Sequence, residues 1–374
     1  MAVNLLAALD DERYGGAALG GARDAAASAG YTLRRVDGAD DLLAAWIDYR
    51  FAPSWWSYEA AAGSAWVAER DGAIAGFAAF GARGLRFPWL RRWRDRTEVG
   101  IFGPYGVASE HRKDGVGEAL LAAALCSLRA AGRTAALIPA VGGDRLIASY
   151  VRRTGATVVD EFGYDTGRRY RTAILASGAG TNARNVLERV RAGSLPLEVA
   201  AVIANKAGVG ALAAARDHGA GAISAVWDRA HESRSAYDAR VIEAVAAMEP
   251  ELVLLLGWMH LLPPAFLQRF PETINLHPAF LPLDPAADEV IAPDGTSIPA
   301  LRGAHALRDA LRDGIPWTGA TVHYVTGATD RGAVLVRVPV PAGDAATEEA
   351  LLARVRPAEF GAVPAAIRRW TFER

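Results

Sequence analysis

Cysteine is almost missing from this chain of 374 residues, where Cys126 stands alone in an Ala/Leu-rich helical pattern. A single cysteine can form no internal disulfide and cannot supply a thiolate metal cluster, so a reducing cytoplasm is expected and no metal site. An excess of one charge is missing too: 41 basic residues face 42 acidic ones and leave a formal charge of −1. With no global field to draw in a polyanion, nucleic acid is not an expected partner and any anion recognition must be local. No apolar run approaches the length of a membrane span, so no membrane association is expected. The stretch Met1–Arg13 lacks a basic leader and soon turns acidic, unlike a secretory signal. Internal repeats and low-complexity tracts are also absent.

What is present is ordinary globular material, 51% hydrophobic and 22% charged, which implies folded structure almost throughout. The length exceeds what one hydrophobic core usually supports, so two domains are expected. From Tyr31 to about Tyr164, strand-like runs (Tyr31–Val36, Ala65–Glu69, Ile74–Phe80, Val99–Ala108, Thr134–Pro139) mix with helical ones such as Asp40–Phe51. The turn Asp71-Gly72 predicts an antiparallel hairpin. The Trp/Arg tract Phe87–Arg96 interrupts the pattern and reads as an insertion or surface arm. Composition turns polar around Asp165–Tyr170, which places a boundary between domains 1–168 and 169–374. Beyond it, strands (Thr172–Ala176, Val199–Ile203, Leu252–Leu256) alternate with helices (Ala183–Ala192, Gly210–His218, Ser235–Ala247). That order implies βαβ units and a mainly parallel sheet, an α/β fold. Asp284–Pro299, rich in Pro, Asp and Ala, reads as a long loop, and Asp284–Leu301 as a candidate lid.

Three constellations in the second half carry chemistry. Ser177-Gly-Ala-Gly-Thr-Asn182 lies between a strand and a helix, where small residues let backbone amides face an anion; a tight turn is the plain alternative. In the extended segment Asn275-Leu-His277, residues two apart share a side, so an amide donor and an imidazole can face one reacting centre. A buried histidine satisfied by backbone is the alternative there. Asp330, in a polar loop after the strand Ala320–Val325, can hold His277, raise its pKa or organise a proton-shuttling water; otherwise it closes a hairpin.

These pieces resemble the glycinamide ribonucleotide formyltransferase family over nearly everything from Arg171 onward. The matching segments are Ser177–Asn182, Ala204–Lys206, Ser233–Asp238, Gly257–Pro263, Asn275–Pro282, Gly319–Tyr324 and the Asp330 loop. The resemblance implies a Rossmann-like domain and 10-formyltetrahydrofolate as co-substrate. It assigns Asn275, protonated His277 and Asp330 to catalysis, Gly180, Thr181 and Asn182 to a substrate phosphate, and Glu359 to a ribose. Met259, His260, Leu261 and Leu262, with Thr326, Gly327, Ala328 and Thr329, would line the pteridine pocket, although Met259 and Leu262 can instead pack inward. The sequence departs from the family at residues 284–301, where the family has a short Pro-Gly-x-His-x-His passage echoed only by Gly303-Ala-His305. It departs again at His260, often Arg, and at Phe360, usually His.

In the first half, Val107 precedes a basic glycine loop, Arg112-Lys-Asp-Gly115-Val116-Gly117, and then an Ala/Leu helix whose N-terminus can take a pyrophosphate. This resembles the acyl-CoA motif of the GCN5-related N-acetyltransferases (GNAT), a likeness spanning roughly Tyr31–Tyr164. It implies acetyl-CoA or another acyl-CoA as cofactor and Tyr150 as the acid that protonates the departing thiolate. Glu98 is a weak candidate base.

The expected protein is therefore a fused enzyme: a GNAT-like mixed α/β domain with an unknown acceptor, then a formyltransferase acting on 5′-phosphoribosylglycinamide in purine biosynthesis. The expected partners are a small phosphorylated amine and, in a homodimer, a second copy of the chain. Formylation of an amino sugar or specialised metabolite is the alternative, and a noncatalytic folate or acyl-CoA sensor is the alternative of another class.

Overall fold

The computed structural model describes all residues from Met1 to Arg374. The chain divides into two compact units, one of Met1–Arg50, Trp56–Thr166 and Phe372–Arg374, the other of Phe51–Trp55 and Gly167–Thr371.

The first unit runs β1 (Ala2–Ala8), α1 (Asp11–Tyr14), α2 (Gly16–Ser28), β2 (Thr32–Asp37), α3 (Asp41–Arg50), α4 (Trp56–Ala61), β3 (Ser64–Arg70), β4 (Ala73–Phe80), β5 (Val99–Val107), α5 (Val116–Ala130), β6 (Ala135–Gly142), α6 (Asp144–Thr154) and β7 (Thr157–Phe162). Its sheet has the order β2-β3-β4-β5-β6-β1-β7, antiparallel except between β5 and β6. The β3–β4 turn uses Asp71 and Gly72, both at positive φ (52° and 78°), the geometry that matches strand twist in a two-residue hairpin.

The sequence pattern names no element within residues 1–30, yet β1 lies inside the sheet between β6 and β7. Ala2, Val3, Asn4 and Leu5 are all buried, so the strand lacks the apolar/polar alternation that marks a half-buried one. Asn4 is fully buried and satisfied: its Nδ2 donates to Trp89 O (2.7 Å) and Asp160 Oδ2 (2.9 Å), and its Oδ1 accepts from Ala140 N (3.0 Å).

The Trp/Arg tract is not a surface arm. Phe87, Leu90 and Trp93 are buried, and Trp93 Nε1 donates to Asp160 Oδ2 at 2.7 Å. Arg92 and Arg96 stand over the Trp93 ring, and Arg92 also pairs with Asp160 Oδ1 at 2.6 Å.

The second unit runs β8 (Tyr170–Ala176), α7 (Thr181–Arg191), β9 (Leu197–Ala204), α8 (Gly210–Asp217), β10 (Gly221–Ser224), α9 (Arg234–Ala246), β11 (Leu252–Leu255), α10 (Pro264–Arg269), β12 (Thr273–His277), β13 (Glu289–Ile291), β14 (Ser297–Pro299), α11 (Ala306–Arg312), β15 (Trp317–Tyr324), β16 (Val334–Pro341) and α12 (Glu348–Phe372). The sheet order is β10-β9-β8-β11-β12-β15-β16; the first five are parallel and the last two antiparallel. From β8 the chain first builds outward to β9 and β10, then returns to the other side for β11 and β12. Connections diverge at such a switch point and leave a crevice outside the carboxyl ends of β8 and β11.

Two elements here differ from the sequence reading. Residues 284–301 are not an open loop but carry the β13–β14 hairpin, with Val290 and Ile298 buried and Trp317 Nε1 donating to Asp294 Oδ2 at 2.8 Å. Helix α12 was not foreseen because Pro357 and Pro364, ordinarily stop signals, lie inside its 25 residues. Burial of Leu351, Val355, Val363, Ile367 and Trp370 against the sheet outweighs that local cost. No helix in the chain is long and apolar enough to cross a membrane.

Asn4→Ala removes three hydrogen bonds to half-buried partners, of which only Asp160 keeps others, to Trp93 and Arg92, so it is expected to destabilise the first unit by about 1–3 kcal/mol. A urea midpoint that matches wild type would show that these bonds contribute nothing net.

Candidate active site

A cavity of about 530 Å³ fills the crevice at the carboxyl ends of β8, β11 and β12. One end is formed by Gly178–Asn182, Leu352, Arg356 and Glu359. Gly180 has φ +73°, and a Cβ there would fall 2.3 Å from Ala211 Cα, so the close approach of α8 admits only glycine. Gly180 caps α7 without any side-chain bond, leaving the first-turn amides uncapped by a side chain. Asn182 is buried; its Nδ2 donates to Glu359 Oε2 at 2.9 Å while its Oδ1 has no partner. Nε of Arg356 is likewise buried without a partner. Burial pushes the Glu359 carboxyl above its usual range, against the Asn182 bond and the Arg356 charge. Two buried polar atoms without a partner thus belong to residues at this end of the cavity.

The other end holds Asn275, His277, His323 and Asp330. β12 presents Asn275 and His277 two residues apart, and antiparallel pairing sets His323 of β15 opposite Asn275. Asp330, in the β15–β16 connection at φ +52°, closes the group. Its Oδ1 lies 3.4 Å from both Asn275 Nδ2 and His323 Nε2, and its Oδ2 lies 3.4 Å from His277 Nδ1 while accepting from Gly303 N at 2.7 Å. Burial alone would raise the Asp330 pKa, but the His323 bond, the His277 charge and the Gly303 amide hold the carboxyl well below the ordinary range. His277 Nε2 donates to Leu301 O at 2.7 Å, so Nδ1, facing the carboxylate, is where a further proton enters. Asp330 pulls the His277 pKa upward, as expected, yet the net shift is downward. Burial lowers it, and the pull of Asp330 only partly opposes that. The neutral ring is thus favoured in the free protein, not the protonated one.

Between the two ends run Leu255–Leu262 and the loop Val325–Asp330. Met259 N donates to Ser177 Oγ at 2.9 Å, fixing the path. Met259 is 54% exposed and Leu261 72%, so Met259 does not pack inward, whereas Leu262 packs on the core. His260 Nδ1 sits 3.1 Å from Tyr237 Oη; burial lowers its pKa, helped by Arg234 and Arg229. Thr326, Gly327 and Thr329 line the cavity, and the carbonyl of Ala328 accepts the Thr326 hydroxyl at 3.1 Å. His305 caps α11 and is not among the lining residues.

In the first unit, β5 pairs with β6 only over Val99–Ile101, beyond which the two strands no longer pair. The loop after Val107 is tied by Arg112 Nε donating to Val107 O (3.2 Å) and from behind by Tyr31 Oη donating to Asp114 Oδ2 (2.7 Å). Gly115 (φ +82°) caps α5 with no side-chain bond, and Val116 turns its side chain into the core. A Cβ on Gly117 would meet Tyr105 Oη at 2.5 Å. Tyr150 is buried edge-on to Phe102 (6.2 Å), and burial raises its pKa, keeping the phenol protonated. Glu98 precedes a β5 of nine residues. It therefore lies roughly 30 Å along the strand from Val107, and the structure does not bring it to the loop.

Residues 170–367, more than half of the chain, match the family model described as Formyl transferase. The chain belongs to the formyl transferase family. Residues 33–155 match the Acetyltransferase (GNAT) family, so this formyltransferase carries an N-terminal acetyltransferase domain. Over 198 residues it is 37% identical to phosphoribosylglycinamide formyltransferase of Mycobacterium tuberculosis, spanning 53% of this chain and 83% of that protein. Over 197 residues it is 32% identical to the Escherichia coli enzyme of the same name, spanning 52% and 84%. Among solved structures, glycinamide ribonucleotide transformylase 1 from Symbiobacterium toebii is 34% identical, with 56% of this chain and 90% of that chain covered and a TM-score of 0.48.

Two cavity residues of the formyltransferase escaped the sequence reading. His323 fell within the matching segment Gly319–Tyr324 but was given no role, since its partner depends on the β12–β15 register. Arg356 lies three residues before Glu359 on α12, a helix the prolines concealed.

The lowered pKa of His277 makes its stability contribution fully present above the unfolded imidazole value of about 6.5 and lost as pH falls from there through the native value. His260 adds the same slope. Urea midpoints between pH 7.5 and 5.5 are expected to fall less steeply in a His260→Gln/His277→Gln variant than in wild type; equal slopes would refute the lowered values.

Proposed function

We propose that the second unit transfers a formyl group from 10-formyltetrahydrofolate to the primary amine of a small phosphorylated acceptor, with 5′-phosphoribosylglycinamide, in purine biosynthesis, as the acceptor of choice. The observation that carries this reading is the meeting of Asn275, His277 and Asp330 in one cavity whose far end holds the uncapped α7 N-terminus and the orphaned Asn182 Oδ1 and Arg356 Nε. An anion is served at one end and proton handling at the other, which is the polarity of a phosphorylated amine.

The residues present also fit a folate. The exposed faces of Met259 and Leu261 offer apolar surface, and the peptide groups of Met259–Leu262 and Thr326–Thr329 offer donors and acceptors beside it. When bound, the folate supplies a formyl carbonyl open to attack by an amine. Asn275 Nδ2 is placed to donate to the charge that develops on the formyl oxygen. His277 takes a proton from the attacking amine at Nδ1, where the Asp330 carboxylate stabilises the charge, and the proton passes on to the folate nitrogen from which the formyl group departs. Because burial outweighs the pull of Asp330 and favours the neutral ring, His277 gives that proton up readily. Gly180, Thr181 and Asn182, with Arg356, hold the acceptor phosphate, and the Glu359 carboxyl accepts a ribose hydroxyl.

The first unit is proposed to be an acyl-CoA-dependent N-acetyltransferase. Its Gly115–Gly117 loop at the uncapped start of α5 holds a pyrophosphate, and Tyr150, kept protonated, returns a proton to the thiolate.

Spectrophotometric assay of tetrahydrofolate release, with phosphoribosylglycinamide as acceptor, is expected to show turnover that falls about 10²–10³-fold in Asn275→Ala. No turnover while folate still binds would exclude this acceptor and turn the search to amino sugars and other amines.

A further inference from the structure

The β13–β14 hairpin interrupts the chain between the two segments that hold the His277–Asp330 pair, and its base is tied to both. Asp288, just before β13, is ion-paired through Oδ1 with Arg331 Nη2 and with Arg302 Nη1 (3.4 Å). Arg331 Nη1 also donates to Pro285 O (2.9 Å) and Ala286 O (3.2 Å), and Arg302 Nη2 to Ala287 O (2.6 Å). Arg331 follows Asp330 directly. Arg302 stands between Leu301, whose carbonyl takes the His277 Nε2 proton, and Gly303, whose amide donates to Asp330 Oδ2. Arg302 Nε reaches Asp330 O itself at 3.3 Å.

We infer that the hairpin is a positioning device for the catalytic pair, with Arg302 and Arg331 as its ties and Asp288 as the latch that holds both. The inference rests on the formyl-transfer reading of the same site. Asp330 needs such holding: a residue with a side chain at φ +52° costs energy unless its surroundings impose that conformation. The five ties to residues 285–288 grip the chain beside the Leu301 carbonyl, the Gly303 amide and the Asp330 carboxylate. Asp288 itself is exposed and touches nothing in the cavity, so its effect can be exerted only through the two arginines.

Electrostatics gives the device a signature. The groups facing the buried His277 ring are Asp330 and Leu301 O, which favour its protonated form, and His323 and Arg302, which disfavour it. Arg302 therefore acts on His277 as a charge as well as a tie. Arg302→Met removes both roles, Arg302→Lys keeps the charge and loses the fork, and Asp288→Asn loosens the latch while leaving both arginines.

In wild type, Arg302→Met, Arg302→Lys and Asp288→Asn, kcat and KM for formyl transfer are measured beside an NMR titration of the His277 Cε1–H. Expected are a kcat about 10–100-fold lower in both Arg302 variants, as for residues that orient a catalytic shell, with KM for both substrates within about two-fold. A smaller loss in the same direction is expected in Asp288→Asn. The His277 titration moves to higher pH in Arg302→Met and stays near wild type in Arg302→Lys. Unchanged kcat in Asp288→Asn and Arg302→Met, or a His277 titration that does not move, would overturn the device and leave the hairpin a passive insertion. The titration needs no substrate, so a wrong acceptor, seen as absent turnover in wild type, is distinguishable from a wrong positioning role.

Discussion

The buried carboxylate of Asp330 is the constraint on which the site depends. A charge removed from water must be compensated on every side. Here the compensation comes from four groups on three separate stretches of chain: Asn275 and His277 on β12, His323 on β15, and the Gly303 amide after the hairpin. One ionised oxygen pair thereby fixes the register of two strands and the path of two connections. The same demand explains why His277 is bound at both ring nitrogens: Leu301 takes the Nε2 proton and leaves Nδ1 to the carboxylate.

The sheet topology makes that convergence possible at a place open to ligands. Because β11 returns to the far side of β8, the carboxyl ends of these neighbours face a crevice rather than a covering helix. The α7 start, held to α8 by the missing side chain at Gly180, forms one wall, and the β12 residues form the other. The first unit solves a related problem with a different sheet. There β5 leaves β6 after three paired residues, and a glycine loop opens the long helix α5 beside the strand that has parted.

Much of this was legible beforehand because it is local. The hairpin at Asp71-Gly72, the strand-to-helix turn at Ser177–Asn182 and the Asn275/His277 pair on one strand face are all set by residues within a few positions of each other. The elements that were misread depend on distant partners. β1 has no alternating pattern because both its faces are covered, and its polar Asn4 is paid for by Asp160, Trp89 and Ala140. Helix α12 crosses two prolines because its apolar face has a sheet to bury against. The Trp/Arg tract looked exposed because of its arginines, while its Phe87, Leu90 and Trp93 anchors decide its place.

By itself, then, the sequence determined the two-part organisation, the α/β class, the glycine turns and the pairing of Asn275 with His277 on one strand face, since each follows from backbone preference, period or motif within a short window. Only the tertiary structure decided that His323 joins Asn275, that Arg356 lines the same end of the cavity as Glu359, that residues 285–288 tie to Arg302 and Arg331, and that burial outweighs Asp330 in setting the protonation of His277. Those outcomes depend on strand register and on the exclusion of water, and neither exists until the chain has closed on itself.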